Sequence, residues 1–361
     1  VGNVALLGSA MEKRGCLAWD ESKIPSFFLK WAMLRCWKAG NDKQGIFPNP
    51  VWALHDSKKK ERYLTMKIVN FGSLNLDYVY QTPHFVLPGE TLAATGQTVK
   101  PGGKGLNQSI ALARAGAKVS HAGCVGQGGQ GLVELLEQNG VDTRWIRPVE
   151  ALQGNAMIQV TPSGENAILL FGGSNRAVTE SQIDQTLAVL QAGDYLVLQN
   201  EISCLPYLVE RAAQKRLRIV LNPSPFEESL RALDYGAMEW LLVNEVEAQQ
   251  LSGSKEPESA WSILHSRYPR LKLVLTLGGA GAICCTPPQT IRQPAFAATA
   301  VDTTAAGDTF TGYFLAALTQ ERPLADCMRR AAAAAAISVS RPGASISIPM
   351  AHEVEEYLLR A

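Results

Sequence analysis

The sequence predicts an α/β protein of three layers, α/β/α, with a mostly parallel central sheet and a small β-sheet lid. Near-continuous runs of Val, Ile and Leu, separated by helix-length segments, predict the parallel sheet covered on both faces. Two further stretches alternate apolar and polar residues around Pro-Gly or Ser-Gly turns, and predict the separate lid.

The 361 residues suffice for one large α/β domain or two modest ones. A formal net charge of +1 argues against nucleic-acid partners, which call for a basic patch. Seven cysteines without a C-x-x-C pair match neither a disulfide framework nor a zinc site, so a reducing, cytoplasmic setting is expected. No apolar run reaches the roughly 18 to 20 residues that span a bilayer, and no signal peptide is legible, so no membrane partner is expected.

The chain changes character at Met66. Residues 1–65 carry 11 Lys or Arg against 6 Asp or Glu but little periodicity beyond one candidate helix with Phe27, Phe28, Trp31 and Leu34 on a face. They read as an N-terminal extension, disordered or translated from a mis-assigned start, with a docking arm or a small added domain as the alternatives. The domain is expected over 66–361.

It opens with "MKIVNFGSLNLD", an apolar strand, a glycine and a polar turn. The lid strands follow, from about 76–101 and again from about 153–173. Further strands are "DYLVLQ" from Asp194, "LRIVLN" ending at Asn222, "WLLVN" ending at Asn244 and "LKLVLTLG" ending at Gly278. Helical patterns such as "LNQSIALARAGA" and "SQIDQTLAVLQAG" separate them. Polar residues close several of these strands: Asn75 and Asp77, Glu201, Asn222 and Asn244. Ligands of parallel sheets collect at such carboxyl ends, although ordinary strand-end turns use the same residue types.

Three glycine-bearing stretches stand out. In "PGGKGLNQ", Gly102 and Gly103 precede a helix start, with Lys104 and Asn107 facing one space; this is a ligand-approach turn or a plain tight turn. "GQGGQG", Gly126 to Gly131, reads as a structural turn. In "DTTAAGDTFTGYF" the small residues Ala305, Ala306 and Gly307 free the first amides of a helix whose dipole favours an anion. Asp308 beside that anion hole suits a base that takes the proton of a hydroxyl attacking a phosphoryl group, with a simple helix cap as the alternative.

"PGGKGLNQ", "NEVEAQQL" and "DTTAAGDTFTGYF", in this order, resemble the ribokinase-like (PfkB) carbohydrate kinases, and "GSLNLD", "LQNE" and "NPSP" extend the likeness from about Met66 to the end. The resemblance implies an ATP-dependent kinase phosphorylating a pentose, D-ribose at O5. It implies Asp308 as catalytic base, with Ala305, Ala306 and Gly307 as anion hole. Asn75, Asp77, Gly103, Lys104, Asn107 and Glu201, with Asp308, would hold the sugar hydroxyls. Asn244 and Glu247 would organise Mg2+ through water, and Asn244, Thr276, Gly278, Gly281 and Gly307 would bind the nucleotide. Asp302, Thr304 and Ser347 would form a K+ site. A homodimer clasped through the lids is also expected.

Departures from the family pattern are Gln127 and Gly128, where acidic residues are common, and Ala332, where a polar side chain often lies near adenine. The run containing Ala332 reads more simply as packed core. His84 and His121 read as structural, and Cys284 and Cys285 as buried at a strand end. Alternatives to ribose are 2-deoxyribose, another pentose or hexose, or a nucleoside, and a non-catalytic sugar-binding regulator is the rival of another class. The first strand lacks G-x-G-x-x-G, against a dinucleotide oxidoreductase.

Overall fold

The computed structural model describes residues 66–361; the sequence readings on 1–65, including the candidate helix and the mis-assigned start, lie outside the described residues. Helices cover both faces of a nine-stranded central sheet, and a four-stranded sheet stands apart from it.

The central sheet runs β13-β12-β11-β10-β9-β8-β1-β4-β5. It comprises β1 (Ile68–Phe71), β4 (Val119–Gln127), β5 (Asp142–Leu152), β8 (Tyr195–Gln199), β9 (Arg218–Asn222), β10 (Met238–Asn244), β11 (Lys272–Thr276), β12 (Ala282–Thr286) and β13 (Gln289–Gln293). All pairings are parallel except β11 with β12 and β12 with β13. The parallel strands β1 and β8 to β11 are the predicted apolar runs, because a strand covered on both faces has no polar side to show; β4 and β5 are not among them, and β5 is exposed along much of its length. In β8 all five residues are buried.

The second sheet has the order β3-β2-β6-β7, from β2 (Asn75–Gln81), β3 (Gly96–Gly102), β6 (Asn155–Val160) and β7 (Asn166–Phe171). These are the two alternating stretches, each forming an antiparallel pair. The pairs join through a parallel contact of β2 with β6, so the sheet is mixed.

Two apolar clusters fill the space on either side of the central sheet. One contains Leu106, Ile110, Phe310, Phe314 and the run Ala331–Ala334, so the alanine-rich helix Leu324–Val339, with Ala332, is packed core. Its methyl-sized side chains let helices and sheet approach closely. Cys284 and Cys285 lie inside β12, buried, rather than at its end. The turn Gly126–Gly131 carries Gly128 at φ 85° and leads into helix Gln130–Gln138, which has no side-chain cap, as expected from Gln127 and Gly128. Exposed His84 pairs with Glu90, and buried His121 bonds Ser109.

Candidate active site

Strand topology gathers the polar strand ends. In the central sheet Asn244 pairs in register with Thr276, and Gln199 with Asn222. The carboxyl ends of β9, β10 and β11 therefore open into one cleft of about 220 Å3 lined by Asn222, Asn244 and Thr276. The same cleft brings together Lys104, Glu247, Ala305, Ala306, Gly307 and Asp308, from segments far apart in the chain.

Two helices aim their starts at it. Lys104–Arg114 begins after Gly103, whose φ of 94° favours glycine and where a Cβ would come within 3.0 Å of the Asn75 amide nitrogen. Ala306–Thr319 begins after Ala305, which holds φ 61°, a left-handed conformation costly for a residue with a Cβ. Among the described residues no side chain caps that start, and, its chain neighbours and own helix backbone aside, nothing lies within 4 Å of where a Gly307 Cβ would be. The early amides and the helix dipole are thus open to an anion. Asp308 does not cap the helix.

The Asp308 carboxylate is instead held between two side-chain amides. Asn107 Nδ2 donates to Oδ2 at 3.1 Å and Gln108 Nε2 donates to Oδ1 at 2.9 Å. Both amides and the carboxylate are buried. Lys104 is held above the ordinary lysine range: burial opposes the ammonium, but Asp308, Glu201 and Glu247 outweigh it. Glu201 is pushed up by burial, against the pull of Lys104 and Ser73, and accepts from the Lys104 backbone amide at 3.0 Å and from Ser73 Oγ.

Asp77 completes the charged group from the second sheet. Burial, then Glu201 and Asp308, push it up to about 7 against the nearby Lys100. Asn75 Oδ1 accepts from Asn175 Nδ2 at 2.7 Å at the base of the same strand. An ionised carboxylate accepts, while a protonated carboxyl and an ammonium donate, so this set matches a ligand rich in hydroxyls, which do both.

The remaining expected residues fall into three places. Asn244 and Glu247 form a reciprocal capping box at the start of helix Glu245–Ser252, with bonds of 2.9 and 3.1 Å. That box occupies one oxygen of each. Gly278 and Gly281 shape the turn after β11 with φ of 50° and 98°, outside the residues lining the cleft. Asp302 accepts from the Thr304 amide at 2.9 Å and from the Gly343 amide at 2.9 Å; burial opposes its charge, but hydrogen bonding by the Thr304 side chain and these two amides outweighs it and lowers its pKa. Buried Ser347 bonds Ser338 and the Ala344 carbonyl, and among the described residues no hydrogen bond joins it to Asp302.

Gln108, Ser73, Thr303 and Thr311 were not singled out in the sequence. Consecutive helical residues point about 100° apart, so a pattern that assigns Asn107 to the site assigns Gln108 away from it. Both reach Asp308 because its carboxylate lies where the two helices meet.

Residues 65–351 match the family model described as pfkB family carbohydrate kinase. The ribokinase of Haemophilus influenzae is 36% identical over 304 residues, covering 80% of this chain and 97% of the relative. The deoxyribokinase of Salmonella typhimurium is 30% identical over 307 residues, covering 81% and 99%. Among solved structures, the ribokinase of Cryptococcus neoformans var. grubii in complex with ADP superposes with a TM-score of 0.73 at 35% identity, covering 81% of this chain and 99% of that one.

Proposed function

Because the chain belongs to the pfkB family of carbohydrate kinases, and so is an ATP-dependent sugar kinase, we propose that it transfers the γ-phosphoryl group of ATP to O5 of D-ribose, giving D-ribose 5-phosphate. The observation that carries the reading is Asp308, oriented by Asn107 and Gln108 beside an uncapped helix start.

In this reading Asp308 takes the proton of the 5-hydroxyl as its oxygen attacks phosphorus, and the leaving group departs as ADP. The backbone of Ala305, Ala306 and Gly307 stabilises charge developing on the phosphoryl oxygens. Lys104, Asn107, Glu201, Asn75, Asp77 and the Gly103 backbone hold the sugar. Thr276 and Asn244 in the cleft, with Gly307 at the helix start and the turn of Gly278 and Gly281 after β11, would hold the nucleotide.

Mg2+ suits Asn244 and Glu247 through its waters. No group of three or more His, Cys, Asp or Glu side chains suited to a metal is present among the described residues, and magnesium usually keeps several waters. When bound it neutralises phosphate charge. The all-oxygen set of Asp302, Thr304 and Ser347 suits K+, with the Ser347 hydroxyl already engaged within the chain.

The second sheet is read as a lid that excludes water from the reacting phosphoryl group. Its strands expose Met157, Ile168, Leu169, Leu170 and Phe171, a surface suited to a second copy of the chain. A cytoplasmic location accords with the five described cysteines, all free. Among the described residues no helix is long and apolar enough to cross a membrane.

The 30% identical deoxyribokinase keeps 2-deoxyribose as the second reading. Turnover of a sugar panel with ATP, Mg2+ and K+, with the phosphorylated position read by 31P NMR, separates them. Preference for ribose with phosphate on O5 supports the proposal; equal or better use of 2-deoxyribose replaces the substrate, and tight binding without turnover makes the protein a sugar sensor.

A further inference from the structure

Behind Asp308 a chain of side-chain amides runs into the core. Gln108 Oε1 accepts from Gln199 Nε2 at 2.7 Å, and the same nitrogen donates to Asn70 Oδ1 at 2.9 Å. Asn70 Nδ2 in turn donates to the Gly105 carbonyl at 2.8 Å and to Ser109 Oγ at 2.9 Å. Gln108, Gln199, Asn70 and Ser109 are all at 0% exposure, so no water competes for these groups.

We propose that Gln199, which lines no part of the cleft, is a positioning residue for phosphoryl transfer: it fixes the amide orientation of Gln108 and through it the Oδ1 side of Asp308. This rests on the reading of Asp308 as the base.

The polarity of the chain is determined by its far end. A backbone carbonyl can only accept, so the Asn70 atom facing Gly105 is nitrogen, and Oδ1 faces Gln199. Gln199 must then present nitrogen, Gln108 must present oxygen to it, and the Gln108 nitrogen is left for Asp308. Reversing Gln199 would set its oxygen against those of Asn70 and Gln108. Reversing Gln108 would set a carbonyl against a carboxylate. Among the described residues, the only other acceptor near Gln108 Nε2 is Asn222 Oδ1, at a longer 3.4 Å.

The chain end beyond Ser109 is uncharged. His121, bonded to Ser109 at 2.8 Å, is pushed down to about 4 by burial. The backbone makes room for Gln199 as well: at Gly72, directly after β1, a Cβ would overlap Gln199 Oε1. That oxygen has no hydrogen-bond partner among the described residues, so Gln199 is held through its nitrogen alone.

The test compares Gln199→Leu, Gln108→Leu, the double variant and Asp308→Asn with wild type, in kcat and in KM for sugar and ATP. Gln199→Leu is expected to lower kcat about tenfold with both KM values within about twofold, because the lost interaction serves the reacting carboxylate rather than binding. The double variant is expected to be no slower than Gln108→Leu alone, since one acts through the other. Gln199→Met, which fills the same space without a donor, replaces the Leu variant if that one does not fold.

Penalties that multiply in the double variant, a matched rise in KM, or an unchanged kcat in folded Gln199 variants overturn the proposal. If wild type turns over ribose and Asp308→Asn does not, such a result sinks this proposal alone. If Asp308→Asn keeps its kcat, the base reading fails and this proposal with it.

Discussion

Asn107 Nδ2 donates to Asp308 Oδ2 at 3.1 Å across a helix pair that also meets at Gly312, where a Cβ would overlap that of Ala111. Close helix contact and carboxylate alignment are thus one feature. A side chain at 312 pushes the helix Ala306–Thr319 away from Lys104–Arg114, and the bond from Asn107 lengthens. Gly312→Val is expected to cost about 1–3 kcal/mol in thermal unfolding, by overpacking, and to lower kcat as well. A variant of wild-type stability and rate would show that the contact does not align the site.

Asp77 gives a pH signature. Its native carboxyl keeps a proton up to about 7, whereas the unfolded chain releases it near 3.8. Between those values the native state binds more protons, so this group's contribution to stability falls as pH rises through the window. Asp77→Asn removes that slope. Its thermal midpoint relative to wild type should therefore rise from about pH 4 to about pH 7 and level off above, while KM for ribose increases. A constant difference in midpoint across that range would contradict the assigned environment.

The lid surface predicts the assembly. Leu169 is 69% exposed and lies on β7 among other apolar side chains. A charge there should leave the fold intact and block a lid-to-lid contact, since an unpaired buried charge costs several kcal/mol. Light scattering is expected to give a dimer mass for wild type and a monomer mass for Leu169→Asp. Equal masses for the two proteins would remove the lid from the interface.

Much of this was legible in the sequence, for identifiable reasons. Strands β8 to β11 announce themselves because a strand buried on both faces must be apolar throughout, and the polar last residues of β9 and β10, Asn222 and Asn244, mark the cleft. The alternation over β2, β3, β6 and β7 announced a second sheet. Pairing is a tertiary property, however, and the parallel contact of β2 with β6 has no local signal. Gln108 and Gln199 escaped for a similar cause. Their importance comes from a chain of amides assembled from β1, β8 and the helix Lys104–Arg114, which no spacing within one segment encodes. The capping box of Asn244 and Glu247 shows the converse, since that spacing serves a helix start whatever else the two residues hold.

Proton removal by Asp308 from the attacking hydroxyl is tested by the kcat of Asp308→Asn with ribose and saturating ATP, beside ribose affinity by calorimetry. Asparagine keeps the size but cannot take up the proton. If Asp308 is the base, kcat is expected to fall by about 10²–10⁴-fold, with ribose bound within several-fold of wild type. A variant that binds ribose and still turns over within about tenfold of wild type would contradict it.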